Sequence, residues 1–410
     1  MSASSPPEKR KVLRERDGTP ARVTYLELFF DLVFVFAITQ ISHFLHDHQG
    51  WIGTAQGAVL FFAVWWAWMS TTWAANRADP DRISVRVLLI ILMLLSMGMS
   101  IGLPGSFGPN ATLFAGCYVA LQIGRSFLAG LLFRRECPEL GRDMVLIGVW
   151  YCLSAPLWIF GSLADPATRL LVWLSAVAIE GMAPLLRYPV PWLGRTTDTE
   201  RDIEGGHLAE RSALFIIIAL GEGIVVIGTE VIEAGIAFGT MTAFAVSFAS
   251  SVLMWWLYFD VGAVRGAEHI EQHRDPGKVA LSVYTYIHMP IIAGIVVYAL
   301  ADSLILEEWN GTASRALVLA QSLGGVLFLA GLGVFKRYSS PKTSLFPSSH
   351  RAGLALFGAL ACAGWLMAIP TLLFAGAGAA IFALAASWEW VAYHGLRAHA
   401  RAIGGRGKED

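Results

Sequence analysis

Apolar runs of about 20 residues recur twelve times along this chain, and no other feature limits its fold so tightly. A helix of ~20 apolar residues reaches across the ~30 Å hydrocarbon core of a bilayer. By hydropathy and length, the predicted spans are 24–45, 52–74, 84–103, 110–133, 143–163, 167–187, 208–229, 238–260, 279–301, 313–335, 352–369 and 371–394. The expected fold class is therefore all-α: a polytopic membrane helix bundle of about twelve transmembrane helices. Only Pro370 marks a turn between the last two spans, and a single re-entrant element there would reduce the count to eleven.

Composition agrees. Charged residues make up 15% of the chain, against about 25% in soluble domains, and mean hydropathy is +0.57. A net charge of −1 offers no bulk reason to bind nucleic acid, so the lipid bilayer is the expected partner. The four cysteines, Cys117, Cys137, Cys152 and Cys362, lack metal spacing and are expected as free thiols. The first 22 residues are polar and predict no cleavable signal peptide. Met1 to about Thr19, and the Gly/Arg/Lys-rich end after about Arg401, read as disordered.

Loop charge tests the span count. With both termini placed in the cytoplasm, 27 of the 30 lysines and arginines fall on the cytoplasmic side or its boundary, among them Arg211 and Lys336. Arg169 and Arg315 fall outside, and Arg125 lies within a span. This is the positive-inside bias, and it predicts an inner-membrane protein with cytoplasmic N- and C-termini. Short internal matches suggest a repeat: Trp65-Trp66 with Trp255-Trp256, 129–135 with 330–337, and Glu180 with Glu389. Two halves of six helices would share one orientation, making a parallel repeat. The expected organisation is a basic N-terminal tail (1–23), a first half (24–187), a linker (188–207), a second half (208–394) and a C-terminal tail (395–410).

Several blocks are distinctive: Tyr25–Ala37, Asn76-Arg77, Glu210–Glu222, Trp255–Asp260 and Tyr284–Ile295. In these the chain resembles the low-temperature-requirement A (LtrA) family of bacterial membrane proteins. The resemblance implies a polytopic inner-membrane protein connected by name with growth in the cold. It implies no particular substrate.

The candidate chemistry lies in ionisable residues within the spans, which are costly there and face protein or water rather than lipid. Glu27 follows Thr24 in a capping-box pattern. Asp31 lies roughly 10 Å into the first span, where no cap explains it. It either pairs with a cation or binds a proton, or else forms a structural salt bridge. Arg125 is the expected partner. By residue count, Glu180 and His288 lie at about the same depth as Asp31 and Arg125, giving a layer of four on four helices. His288 is preceded by Tyr284 and followed by Pro290, which should kink its helix. It reads either as a proton relay or as a satisfied core histidine. Glu222 sits between Gly221 and Gly223, as a functional acid or within tight helix packing. Asp260 follows an aromatic stretch at the boundary, and Glu389 lies between Trp388 and Trp390. His43, His46, His48 and Asp47 could hold a metal but read more simply as a solvated loop end. No metal or cofactor is expected. Walker A, dinucleotide-glycine and HExxH motifs are absent.

The leading expectation is a proton- or cation-responsive, transporter-like protein that handles a small solute or ion. The alternatives are a membrane-embedded enzyme acting on a lipid or lipid-linked substrate, and a non-catalytic scaffold or sensor.

Overall fold

The structure, a computed structural model, describes residues 11–14, 23–197, 204–260, 279, 281–338 and 346–406. These form twelve helices: α1 Tyr25–Asp47, α2 Trp51–Arg77, α3 Ile83–Gly102, α4 Ala111–Phe133, α5 Pro138–Leu163, α6 Pro166–Met182, α7 Gly205–Ala234, α8 Phe238–Phe259, α9 Leu281–Glu307, α10 Arg315–Tyr338, α11 Ser348–Leu366 and α12 Thr371–Arg406. Ten are long and apolar enough to cross a membrane; α6 and α11 are the other two. The chain is a multi-pass membrane protein of the all-α class.

Alpha helices 11 and 12 are separate, and backbone pairing holds the turn between them. Ala313 N donates to Ile369 O at 2.9 Å, and Thr371 N donates to Gly311 O at 3.0 Å. Helix α6 stops at Met182, short of the predicted boundary at 187. Pro184 lacks the N–H needed to continue it, and the chain turns through positive φ at Arg187 and Tyr188.

The chain divides into two compact units, 1–215 with 271–281 and 216–270 with 282–410. In the first, α1 packs on α2 and α3, and the contacts run on through α3–α4, α4–α5 and α5–α6 back to α2. Its aromatic core comprises Phe107, Phe114, Tyr118, Trp158 and Trp173, with the rings of Trp158 and Trp173 5.2 Å apart. In the second unit, contacts run α8–α9–α10–α11–α12 and back to α8. Two glycines bring α9 and α10 together. A Cβ on Gly294 would lie 2.5 Å from Phe328 N, and one on Gly324 would lie 2.8 Å from Tyr298 N. The two backbones touch, as small residues permit in membrane bundles.

Two expectations are corrected by the fold. Residues 11–14 fall inside the predicted disordered N-terminal tail, yet they are docked, and at the other end α12 runs on to Arg406, past the predicted start of disorder at about Arg401; the rest of that prediction lies outside the described residues. Val12 N and Leu13 N donate to the Glu136 carboxylate at 2.6 and 2.9 Å, and Arg14 N donates to Arg77 O at 3.0 Å. A polar backbone gains order where a carboxylate and a helix end supply its partners. Arg169, assigned to an outer loop, is buried. Its guanidinium donates to the carbonyls of Gly161 (3.1 Å), Ser162 (3.3 Å), Ala164 (2.9 Å) and Ser106 (2.9 Å). These include orphan carbonyls at the end of α5, which a cation satisfies well. Arg169→Met should destabilise the protein by roughly 2–3 kcal/mol. Thermal unfolding in detergent checks this, and an unchanged midpoint would refute the capping role.

Candidate functional site

The most concentrated group of buried ionisable residues lies where α1, α2 and the first turns of α7 meet, within the first unit. Glu27 and Asp31 stand one turn apart on α1. His207, Arg211 and Phe215 stand on one face of α7 at the same spacing. Residues four apart on a helix share a face, so the two rows interlock. His207 Nε2 contacts Glu27 Oε1 at 2.9 Å, and Arg211 Nη2 donates to Asp31 Oδ1. Glu27, Asp31, His207 and Arg211 are each at most 1% exposed.

Helix α2 completes the site. Trp68 Nε1 donates to Asp31 Oδ1 at 2.7 Å, and the Arg211 guanidinium lies 5.6 Å from the Trp68 ring and 5.8 Å from that of Phe30. Phe215 packs on Trp68 with centroids 4.2 Å apart. Eight residues beyond Trp68, Asn76 accepts from Glu204 N at 3.2 Å through Oδ1. Its Nδ2 donates to Glu204 O at 3.0 Å and to His207 Nδ1 at 3.1 Å.

This arrangement fixes the proton on His207. Both backbone groups of Glu204 orient the Asn76 amide, so Nδ2 is the atom facing His207. The imidazole Nδ1 must therefore accept, and Nε2–H donates to Glu27. A second proton, on Nδ1, would meet the Asn76 amide donor and break the bond. Two carboxylates face two guanidiniums, since Arg14 Nη2 reaches Glu27 Oε1 at 3.4 Å and Arg211 meets Asp31. Glu27 also forms the predicted capping box with Thr24. Among the described residues, Asp31 Oδ2 and Arg211 Nε are buried with no hydrogen-bond partner.

The expected pairing of Asp31 with Arg125 is incorrect. Asp31 pairs with Arg211, which sequence reasoning took for a boundary anchor. The predicted layer does not form as one site either. Arg125 and Glu180 share a different network: Arg125 Nη1 donates to Gln122 Oε1, Gln122 Nε2 donates to Tyr118 Oη at 2.9 Å, and Tyr118 donates to Glu180 Oε2. Ser154 Oγ (2.6 Å) and Trp158 Nε1 (2.8 Å) also donate to Glu180. Three donors converge on this one carboxyl group within the helix bundle.

His288 lies in the second unit. A π-helical stretch, Leu281–Ile287, immediately precedes it. His288 Nδ1 meets Val283 O at 2.9 Å, so Nδ1 carries the proton, and Nε2 accepts from Tyr258 Oη at 3.0 Å. Tyr284 and Phe335 pack around the ring at centroid distances of 5.2 and 4.8 Å. Both nitrogens are satisfied, which is the core-histidine arrangement. Glu222 is buried on α7. A Cβ on Gly221 would meet nothing within 4 Å and one on Gly223 only Ala299 Cβ at 3.6 Å, so these glycines mark no close helix approach. Asp260 is exposed, at the C-cap of α8. Glu389 accepts from Lys336 Nζ and lies 3.1 Å from His350 Nδ1 and 3.3 Å from Ser349 Oγ. Lys336, assigned to a cytoplasmic loop, is thus a buried partner. At the end of α1, His48 Nδ1 contacts Phe44 O at 3.0 Å, and His46 and Asp47 are 3.6 Å apart. Among the described residues, no group of three or more His, Cys, Asp or Glu could hold a metal.

Sequence reasoning missed His207, Arg211, Asn76 and Trp68 as site members. The readable signal was the repeated four-residue spacing: Glu27/Asp31 at the head of one apolar run and His207/Arg211 at the head of another.

The family described as bacterial low temperature requirement A protein (LtrA) matches residues 22–387. An uncharacterized protein of Rhizobium meliloti (strain 1021) is 39% identical over 393 residues, covering 94% of this chain and 93% of that protein. No solved structure matches the chain significantly.

Proposed function

Because this chain belongs to the bacterial low temperature requirement A family, we propose that it is an inner-membrane protein that responds to protons or cations in a transporter-like manner, through the α1–α2–α7 network. The observation that carries this reading is the charge balance of that network, in which the carboxylates of Glu27 and Asp31 meet the guanidiniums of Arg14 and Arg211. A proton added to Nδ1 of His207 would set two donors against each other and leave Asn76 held by Glu204 alone. Intramembrane acids and bases of this kind commonly mark ion or proton pathways.

The bias of positive charge supports cytoplasmic termini. The repeat is supported by helix adjacency: the contacts α3–α4, α4–α5, α5–α6 and α2–α6 recur, shifted by six, as α9–α10, α10–α11, α11–α12 and α8–α12.

The test is flux in liposomes containing the purified protein, under imposed H⁺, Na⁺ or K⁺ gradients. Wild type should carry a gradient-dependent flux, and Asp31→Asn should lose it. No flux under any of the three gradients, or a flux unchanged in Asp31→Asn, would overturn the proposal.

A further inference from the structure

Asp302 entered neither the sequence argument nor the site above. It lies on α9, in the second unit, and is 1% exposed. Burial dominates its environment, and Ser247 of α8 is the neighbouring polar side chain; no basic residue among those described offsets its charge. One turn earlier on α9 stands Tyr298, whose hydroxyl donates to Ser250 Oγ of α8 at 3.4 Å. Gln321 of α10 approaches from the other side. Its Nε2 donates to Phe374 O at 3.2 Å and Ala375 O at 3.3 Å on α12, which fixes the amide and turns Oε1 away from those carbonyls. Gly378 lets Gln321 and Tyr298 come together against α12: a Cβ there would lie 1.8 Å from Gln321 Nε2 and 2.9 Å from Tyr298 Oη.

Two buried oxygens in this cluster, Asp302 Oδ1 and Gln321 Oε1, have no hydrogen-bond partner among the described residues, and the Ser247 hydroxyl stands beside the Asp302 carboxylate. Burying a lone carboxylate is costly unless its charge is met. Arginine meets it at Asp31, lysine at Glu389, and three neutral donors converge on Glu180. Here the available atoms are a carboxylate, hydroxyls and an amide oxygen, with no free nitrogen or sulfur ligand. That donor set suits a hard cation, and one carboxylate balances a single positive charge.

We propose that Asp302, with Ser247, Tyr298 and Gln321, forms a binding site for a monovalent alkali cation of the Na⁺ type, held between α8, α9 and α10. The site is independent of the α1–α2–α7 network. A cation held there would brace three helices whether or not the protein transports anything.

The test uses the full-length protein purified in detergent at pH 8, without reconstitution. Its unfolding midpoint is measured in choline chloride and in LiCl, NaCl or KCl at equal ionic strength. The midpoint should rise with one of these alkali cations and saturate with its concentration, as stabilisation by ligand binding does. Asp302→Asn removes the charge at constant shape and should abolish the rise. Ser247→Ala should weaken the apparent affinity about tenfold, the effect of one lost ligand contact. Should Asp302→Asn fail to fold, the Ser247→Ala titration decides, and an unchanged affinity would overturn the site. No rise in wild type with any of the three cations would also overturn it, leaving Asp302 as a protonated acid. So would an equal rise in Asp302→Asn, which would place the cation elsewhere. These readouts need no flux, so a silent liposome assay leaves them unaffected.

Discussion

Arg211→Met should destabilise the protein by about 3–5 kcal/mol, the cost of leaving one member of a buried ion pair without the other. Asp31 is fully buried and its Oδ1 receives both Arg211 and Trp68. Without the guanidinium, the indole N–H is the remaining donor on an enclosed negative charge. The packing loss is small by comparison, because methionine fills most of the space between Phe30 and Trp68. The double variant Asp31→Asn/Arg211→Met removes the stranded charge and should recover more than half of the loss. The pair is close enough that their effects cannot add. Thermal unfolding of the four proteins of this cycle in detergent provides the measurement. If Arg211→Met melts like wild type, Asp31 is not ionised in the folded protein and the charge balance proposed for the network fails.

The second large effect concerns α9 and α10. Gly294→Ala should cost about 2–3 kcal/mol, at the upper part of the range for overpacking. The new Cβ would meet Phe328 N at 2.5 Å and Gly324 O at 2.8 Å, and backbone atoms cannot rotate away as a side-chain tip can. Gly324→Ala should cost a similar amount for the reciprocal reason. The two together should cost distinctly less than their sum, because helices separated by the first methyl have already made room for the second. Gly358→Ala on α11 is the matched control, since a Cβ there meets nothing within 4 Å, and it should be close to neutral. Equal losses at Gly294 and Gly358 would assign the cost to helix propensity and refute the close-approach argument.

Element existence was legible because the bilayer forces long apolar runs, and the run lengths survive in the helices. Ends were harder. Helix α7 begins at Gly205, before the apolar run, because His207 and Arg211 are spent on Glu27 and Asp31 rather than on water. That same fact hid the site. Hydropathy counts an arginine as a boundary marker wherever it stands, and the positive-inside count absorbed Arg211 and Lys336 without strain. Matched depth suggested Arg125 for Asp31. Depth carries no information about which helices are neighbours, and Arg125 faces Gln122 and the Tyr151 ring instead. Capping chemistry at Glu27 was readable because it depends on residues three apart. Asp302 was overlooked for a simpler reason, that the predicted span ended one residue before it.

The π-helical stretch Leu281–Ile287 has an implication for descent. A π turn closes its hydrogen bonds over one more residue than an α turn. Such a stretch is a stored insertion, a place where α9 holds an extra residue without a break. Beyond it the phase of the helix is dictated from elsewhere, by Gly294 seated against α10. A lineage that lost one codon between 281 and 287 could close the stretch into ordinary α-helix. The upstream residues would then turn by about 100° relative to His288. Tyr284 would leave the histidine ring while Asp302 kept its place.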